Sequence, residues 1–263
     1  MRVFSTVRGR ASVLAAAALV ASTALGSAVA AGAAESTVLP QAVEKIVQRF
    51  TADNAGVVVF HQTFVYEQRA PGHNEHDEQD FSVIQQDRKG IAIRLHRVVE
   101  KDKPLNTEEL AKLQEQTDKR LASEPPHVST RFSLPYYPES AAEYTFTAPK
   151  PCTECAGGES IEFKSAVNDE RHGHGTMTFD PATSRVTKLE FVPNVFPKPA
   201  TSAKVTYTFG RYDDGGWGIA RVDEHYTGRM LMISGSLDRT ITISHGKHVA
   251  SVDEARRAIQ AGL

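Results

Sequence analysis

The chain has 263 residues, with 30 Lys plus Arg against 32 Asp plus Glu and a formal net charge of −2. That balance excludes a protein built to coat nucleic acid or an anionic lipid surface. The length is sufficient to bury a large apolar core.

Residues 1–30 read as a secretory signal. Arg2, Arg8 and Arg10 form a basic start, and Ala11 to Leu25 is an uncharged apolar run of fifteen residues. A bilayer span takes roughly twenty. Small residues follow, ending in Ala28-Val29-Ala30, the A-x-A pattern of a cleavage site, with a second possible cut after Ala33. The expected mature chain is residues 31–263, and losing three arginines takes its net charge from −2 to −5. No cysteine lies near the cut, which argues against a lipid-anchored mature end, and no later stretch reaches membrane-spanning length.

Pro40 opens a short helix in which Val43, Ile46, Val47 and Phe50 fall on one face. A period-2 strand follows, with Val58, Phe60, Phe64 and Tyr66 on one side and His61, Thr63 and Glu67 on the other. Ala70 to Asp80, rich in His, Glu and Asp, reads as a loop. Phe81 to Gln85 and Ile91 to His96 complete a three-stranded meander. Asn106 and Glu109 fit a capping box for a charged helix over 106–122, whose thin stripe is Leu110, Leu113 and Leu121. The Pro-containing stretches at 124–125, 135–138 and 197–199 read as short loops.

From Tyr144 onward the alternation is nearly unbroken. Tyr144 pairs in parity with Phe146, and Ile161 with Phe163. Met177 and Phe179 lead into a turn at Asp180 to Ser184, and Val186 to Phe191 returns. Val205, Tyr207 and Phe209 alternate with threonines, and Asp213 to Gly216 turns. Trp217, Ile219, Arg221, Asp223 and His225 share one parity. Gly228 and Gly235-Ser236 read as turns around Leu231 and Ile233, before Leu237, Ile241 and Ile243. Ser251 and Glu254 cap a closing helix. About ten strands result, with no fixed-period repeat and no clear linker, so one β-domain over 31–263 is expected.

Such alternation along consecutive strands means one dry and one wet face. The expected fold class is mainly β with a few helices (α+β): a curved antiparallel sheet, or unclosed β-barrel, wrapped around helices.

The order of signal, helix, aromatic strand Phe60-His61-Gln62-Thr63-Phe64-Val65-Tyr66, meander, inserted helix and hairpins resembles the LolA/LppX-like family. Met177 to Ser184 with Val186 to Phe191, and Tyr207-Thr208-Phe209 with Asp214 to Trp217, are similar to hairpins of those proteins. The resemblance covers nearly the whole mature chain and rests on layout. It implies an unclosed barrel with helices in its hollow, and an apolar cavity that takes acyl chains. It includes periplasmic lipoprotein carriers and outer-membrane lipoprotein-sorting relatives.

No G-x-S-x-G, H-E-x-x-H, P-loop or G-x-G-x-x-G motif occurs, so an enzyme is not expected. The expected ligand-binding set is Phe60, Phe64, Tyr66, Phe146, Phe163, Phe179, Phe191, Tyr207 and Trp217; Met177, Leu189, Phe209, Leu231 and Ile233 share the dry face. A plain core against the helices explains the same residues. Cys152 and Cys155, flanked by Pro149-Lys150-Pro151 and Ala156-Gly157-Gly158, sit in loop chemistry. A disulfide is the expected state, with redox and metal roles as alternatives. His73, Glu75, His76, Asp77 and Glu78, with His172 and His174, offer metal-ligand types, and a solvated loop needs the same residues. No cofactor or metal is expected. The functional expectation is an exported, periplasmic or extracellular, non-catalytic binder of a lipid or other apolar ligand. An envelope protein is a second candidate partner. The competing expectation is a metal-binding or redox envelope protein.

Overall fold

The computed structural model describes residues 39–123, 131–155, 157–230 and 233–262. The expected signal, the prolines at 124–125 and Leu231 lie outside them. Helix α1 (Gln41–Asp53) precedes the meander β1 (Val57–Ala70), β2 (His73–Gln86), β3 (Lys89–Glu100) and β4 (Lys103–Pro104). Helix α2 (Thr107–Ser123) follows, then a 3-10 turn, Ala141–Glu143, and the short strands β5 (Tyr144–Phe146) and β6 (Lys150–Pro151). The remaining strands are β7 (Glu159–Ser165), β8 (Gly173–Asp180), β9 (Arg185–Pro193), β10 (Ala200–Arg211), β11 (Trp217–Met230) and β12 (Ile233–Val249). Helix α3 (Val252–Gln260) ends the described chain.

All twelve strands join one antiparallel sheet in the order β4-β3-β2-β1-β12-β11-β10-β9-β8-β7-β5, with β6 also on β7. The long pairing of β1 with β12 links the N-terminal meander to the C-terminal hairpins. The sheet stays unclosed, with β4 and β5 at its ends. The expected mainly β, curved antiparallel class is the one found.

One face carries the main core. Val58, Phe60 and Phe64 of β1 meet Phe81 and Val83 of β2, Leu189 and Phe191 of β9, and Val205 and Tyr207 of β10. Helix α1 lays Val43, Ile46 and Phe50 onto this face. Helix α2 adds Leu110, Leu113 and Leu121, and Gln114 ties it to β3 through the Leu95 N–H and the Ile93 carbonyl, both at 2.8 Å. The expected capping box is present: Asn106 Oδ1 accepts from the N–H groups of Glu108 and Glu109 at 3.0 Å. Helix α3 is capped likewise by Ser251, but it sits on the other face. It covers Val57, Val59 and Ile84, the opposite parity of β1, instead of joining α1 and α2 in the hollow.

Four further readings are corrected. Ala70 to Asp80 is no loop: Pro71 and Gly72 make the turn, Gly72 at φ 73°, and the polar residues from His73 onward alternate along β2. Polar side chains hid that alternation. Gly228 and Gly235-Ser236 are strand residues; the β11–β12 connection lies at 231–232, outside the described residues. The parity of β11 reverses at Ala220, an extra residue between the pairs Phe209–Ile219 and Thr208–Arg221. Trp217 and Ile219 therefore share the core face with Val222, whereas Arg221 and Asp223 do not. Finally, the segment before β5 is no simple loop. Phe132, Leu134, Tyr136 and Tyr137 are all buried and plug the hollow, Tyr136 lying 4.7 Å from the Phe50 ring.

Cys152 and Cys155 are joined in a disulfide, within a turn after β6. That is the expected pairing.

Candidate functional site

The residue types singled out for metal are dispersed by the sheet. Along β2, His73, Glu75 and Asp77 share the parity of Phe81, while His76 and Glu78 share that of Asp80. His172 is held between Asp169, 2.9 Å from Nδ1, and Glu143, 2.6 Å from Nε2. Burial opposes ionisation of Asp169, yet its hydrogen bonds from His172 and Arg171 hold it below the usual carboxylate value. His174 meets Asn194 Oδ1 at 3.4 Å. His61 and His225 pair with Asp80 and Asp238, each at 2.5 Å. Among the described residues no group of three or more His, Cys, Asp or Glu could hold a metal ion. These contacts account for the imidazoles as hydrogen-bonding partners of carboxylate and amide side chains that pin loops and strands together.

The expected ligand residues fall mostly inside the packed core. Phe60, Phe64, Phe163, Phe179, Phe191 and Tyr207 are buried there, and Phe146 and Trp217 are half-buried against it. Trp217 Nε1 donates to the Val186 carbonyl at 2.9 Å, so its polar end is satisfied. Tyr66 stands apart: it lines a cavity of about 380 Å³ at one end of the core face. That volume falls at the lower end of the range for small-molecule sites, ~300–1,000 Å³.

Tyr66, Glu224 and Arg239 lie in register across β1, β12 and β11, and Tyr226 and Leu237 form the next such pair. The cavity lies between these strand ends and the segment Pro197, Lys198, Pro199, with Arg131 on its wall. Gly228 admits that segment, since a Cβ there would stand 2.9 Å from the Pro199 carbonyl oxygen. The Arg239 guanidinium sits 5.9 Å from the Tyr66 ring centre and 5.8 Å from that of Tyr226. Arg131 lies 5.9 Å from Tyr226 and 5.5 Å from Phe132. Cations and rings thus alternate, an arrangement worth roughly 0.5–2 kcal/mol per contact.

The compensating acids are few. Glu224, 3% exposed, accepts the Tyr226 hydroxyl at 2.9 Å and meets Arg239 at 3.5 Å. Glu170 is 3.8 Å from Arg131. Arg239 Nε is buried without a partner. An unpaired buried donor costs roughly 1–3 kcal/mol, more when charged. Burial pushes the Tyr226 hydroxyl well above its ordinary value, so this ring stays neutral beside the two guanidinium groups.

A wider depression of about 630 Å³ adjoins the cavity, sharing Arg69, Ala70, Thr227, Gly228, Gly235 and Ser236 with it. It lies open to solvent among Asn74, Thr201 and Ser234. The narrower, ring-walled cavity is where a ligand would be desolvated.

On the far side of Tyr66, acids gather. Asp77, 6% exposed, accepts the Lys101 N–H at 2.7 Å. Burial first, then the charge of Glu75, pushes Asp77 above its ordinary 3.8. Burial and Asp77 do the same to Glu100. A raised value means that the folded chain holds the proton to higher pH than the unfolded chain. This carboxyl therefore favours the fold below about pH 3.8, and that contribution is lost as pH rises through the folded value. Asp77→Asn keeps the acceptor for Lys101 and removes the charge. It should raise the urea midpoint at pH 7 and leave it unchanged near pH 3. An equal gain at both values would show that charge is not the cause.

Sequence reasoning did not find Arg131, Lys198, Glu224, Tyr226 or Arg239. An unbroken parity from Trp217 onward leaves Glu224 and Tyr226 off the core face, and the extra residue at Ala220 turns them onto it. Arg131 and Lys198 come from irregular segments, where no periodicity assigns a direction.

Solved structures match the chain distantly. A Vibrio parahaemolyticus domain described as outer membrane lipoprotein-sorting is 12% identical, covering 82% of this chain and 97% of that one, with a TM-score of 0.37. A Nitrosomonas europaea LolA superfamily protein is 10% identical over 81% of this chain and 96% of its own, at a TM-score of 0.31. A Desulfovibrio piger DUF1329 family protein is 9% identical over 84% and 97%, at 0.34. Likeness at this level says nothing of ligand or partner. No family model and no curated protein matches the chain.

Proposed function

We propose that the chain is an exported, non-catalytic binding protein that holds a lipid or other apolar ligand at the concave face of its sheet. The observation that carries this reading is the cavity of about 380 Å³ walled by Tyr66, Tyr226 and Leu237 beside the packed core. The aromatic set Phe60, Phe64, Phe146, Phe163, Phe179, Phe191, Tyr207 and Trp217 then forms the rigid apolar body against which the ligand lies. Binding belongs at such a concave site on a rigid scaffold. Export is supported by the basic-then-apolar start with its A-x-A ending and by the Cys152–Cys155 disulfide, which persists in oxidising compartments. Among the described residues no helix is long and apolar enough to cross a membrane. A periplasmic or extracellular location follows from that reading, with an envelope protein as a partner at the cavity rim.

Native mass spectrometry of the mature protein should reveal a co-purified lipid, and a fluorescent fatty acid should bind and be displaced by unlabelled lipid. A protein that emerges lipid-free and leaves the probe unbound removes the proposal.

A further inference from the structure

We propose that the cavity takes a single-chain amphipathic anion, its carboxylate or phosphate head held by Arg239 and Arg131 and its chain against the tyrosine rings. This rests on the binding reading above and specifies the ligand's chemistry.

The argument is one of charge and size. Arg239 and Arg131 line the cavity, and exposed Lys198 stands at its rim. Against them, Glu224 is shared between Arg239 and the Tyr226 hydroxyl, and Glu170 lies 3.8 Å from Arg131 with half its side chain in water. Arg239 meets its acid at a long 3.5 Å, its Nε has no partner, and its side chain remains 22% exposed. Positive charge is thus left over where the cavity is narrow. A wholly apolar ligand would strip water from these guanidinium groups and return nothing. A cation would be repelled. A carboxylate or phosphate matches the planar fork of an arginine and makes charge-assisted hydrogen bonds. Glu75 and Asp77 lie beyond Tyr66, on β2, so an anionic head is confined to the β11–β12 side. The rings and Leu237 offer the chain an apolar wall, which inorganic phosphate would not use. A volume of about 380 Å³ suits one short chain with its head, not a multi-chain glycolipid.

The test is calorimetric titration of the mature protein with decanoate, decyl phosphate, decanol and inorganic phosphate. Decanoate and decyl phosphate should bind at least about ten-fold more tightly than decanol, and inorganic phosphate should not bind at millimolar concentration. Arg239→Gln should weaken decanoate about ten- to thirty-fold and leave decanol unchanged. Arg131→Gln, at a more exposed position, should act in the same direction and covers the case in which loss of Arg239 unfolds the chain. Decanol binding as tightly as decanoate, or both arginine variants weakening the two ligands equally, overturns this inference and leaves the binding reading standing. Inorganic phosphate matching decyl phosphate overturns the amphipathic part. Binding of none of the four removes both proposals.

Discussion

Gly175→Ala should destabilise the protein by about 3 kcal/mol or more, as backbone overpacking does at its upper end. Gly175 faces Phe191 in the pairing of β8 with β9. A Cβ there would stand 1.8 Å from the Glu190 carbonyl oxygen and 3.1 Å from Phe163 Cζ. The first is backbone and cannot rotate away. Gly173 is similarly placed, with a Cβ 2.2 Å from the Val192 carbonyl oxygen and 2.7 Å from Phe191 Cζ. The rings of Phe163 and Phe191 therefore close over a strip of bare backbone. Relieving the clash would part β8 from β9 at the centre of the core. For a chain of this size each kcal/mol moves Tm by roughly 2–4 °C, so calorimetry should show a fall of about 6–12 °C. Gly210→Ala is the comparison, since a Cβ there meets a single side-chain methyl, Ala220 Cβ at 3.2 Å. Equal losses at the two positions would mean that strand propensity, not close approach, is responsible.

Asp53→Ala should cost about 3 kcal/mol, the lower end of what breaking a buried pair costs. Asp53 ends α1 with its side chain 9% exposed, and Arg185 at the start of β9 grips it with Nε and Nη2, both at 2.9 Å. Arg49 adds a contact at 2.8 Å from the same helix. The hydrogen bonds to Asp53 push Arg185 above its already high value, so its charge cannot be shed. Removing the carboxylate leaves that guanidinium over the Trp217 ring, 5.5 Å away, with no acid of its own on α1. The helix would lose its tie to the β8–β9 hairpin, and urea titration should show a lower midpoint. Asp53→Asn, which keeps an acceptor, should recover part of the loss. A midpoint unchanged in both variants would show that α1 is held by Val43, Ile46 and Phe50 without the pair.

The His172-Gly173-His174-Gly175 segment illustrates how far local sequence carries. Its histidines are metal-ligand types, yet they serve in separate contacts, His172 with Asp169 and Glu143 and His174 with Asn194. The glycines carry the structural message, and they could be understood only beside Phe163 and Phe191, brought there by other strands. The same holds for the cavity. Tyr66 was legible because β1 alternates cleanly from Val58 onward. Its companion Tyr226 was not, because one extra residue at Ala220 reverses which side of β11 faces inward without changing composition. Arg239 shares the parity of Leu237 and Ile241, and only the pairing of β1 with β12 sets it beside Tyr66. The plug of Phe132, Leu134, Tyr136 and Tyr137 escaped for a related reason: irregular backbone has no period to read.

Sequence alone determined the antiparallel class, the strand-turn-strand order of most hairpins, three helices with two capping boxes, and the Cys152–Cys155 closure. These depend on near neighbours, through side-chain alternation and local hydrogen bonding. Tertiary structure alone decided that β1 joins β12, that α3 covers the opposite face, and that Arg131, Tyr66, Tyr226 and Arg239 meet around one hollow. Those outcomes depend on long-range register and on single-residue bulges, and neither leaves a periodic trace in the chain.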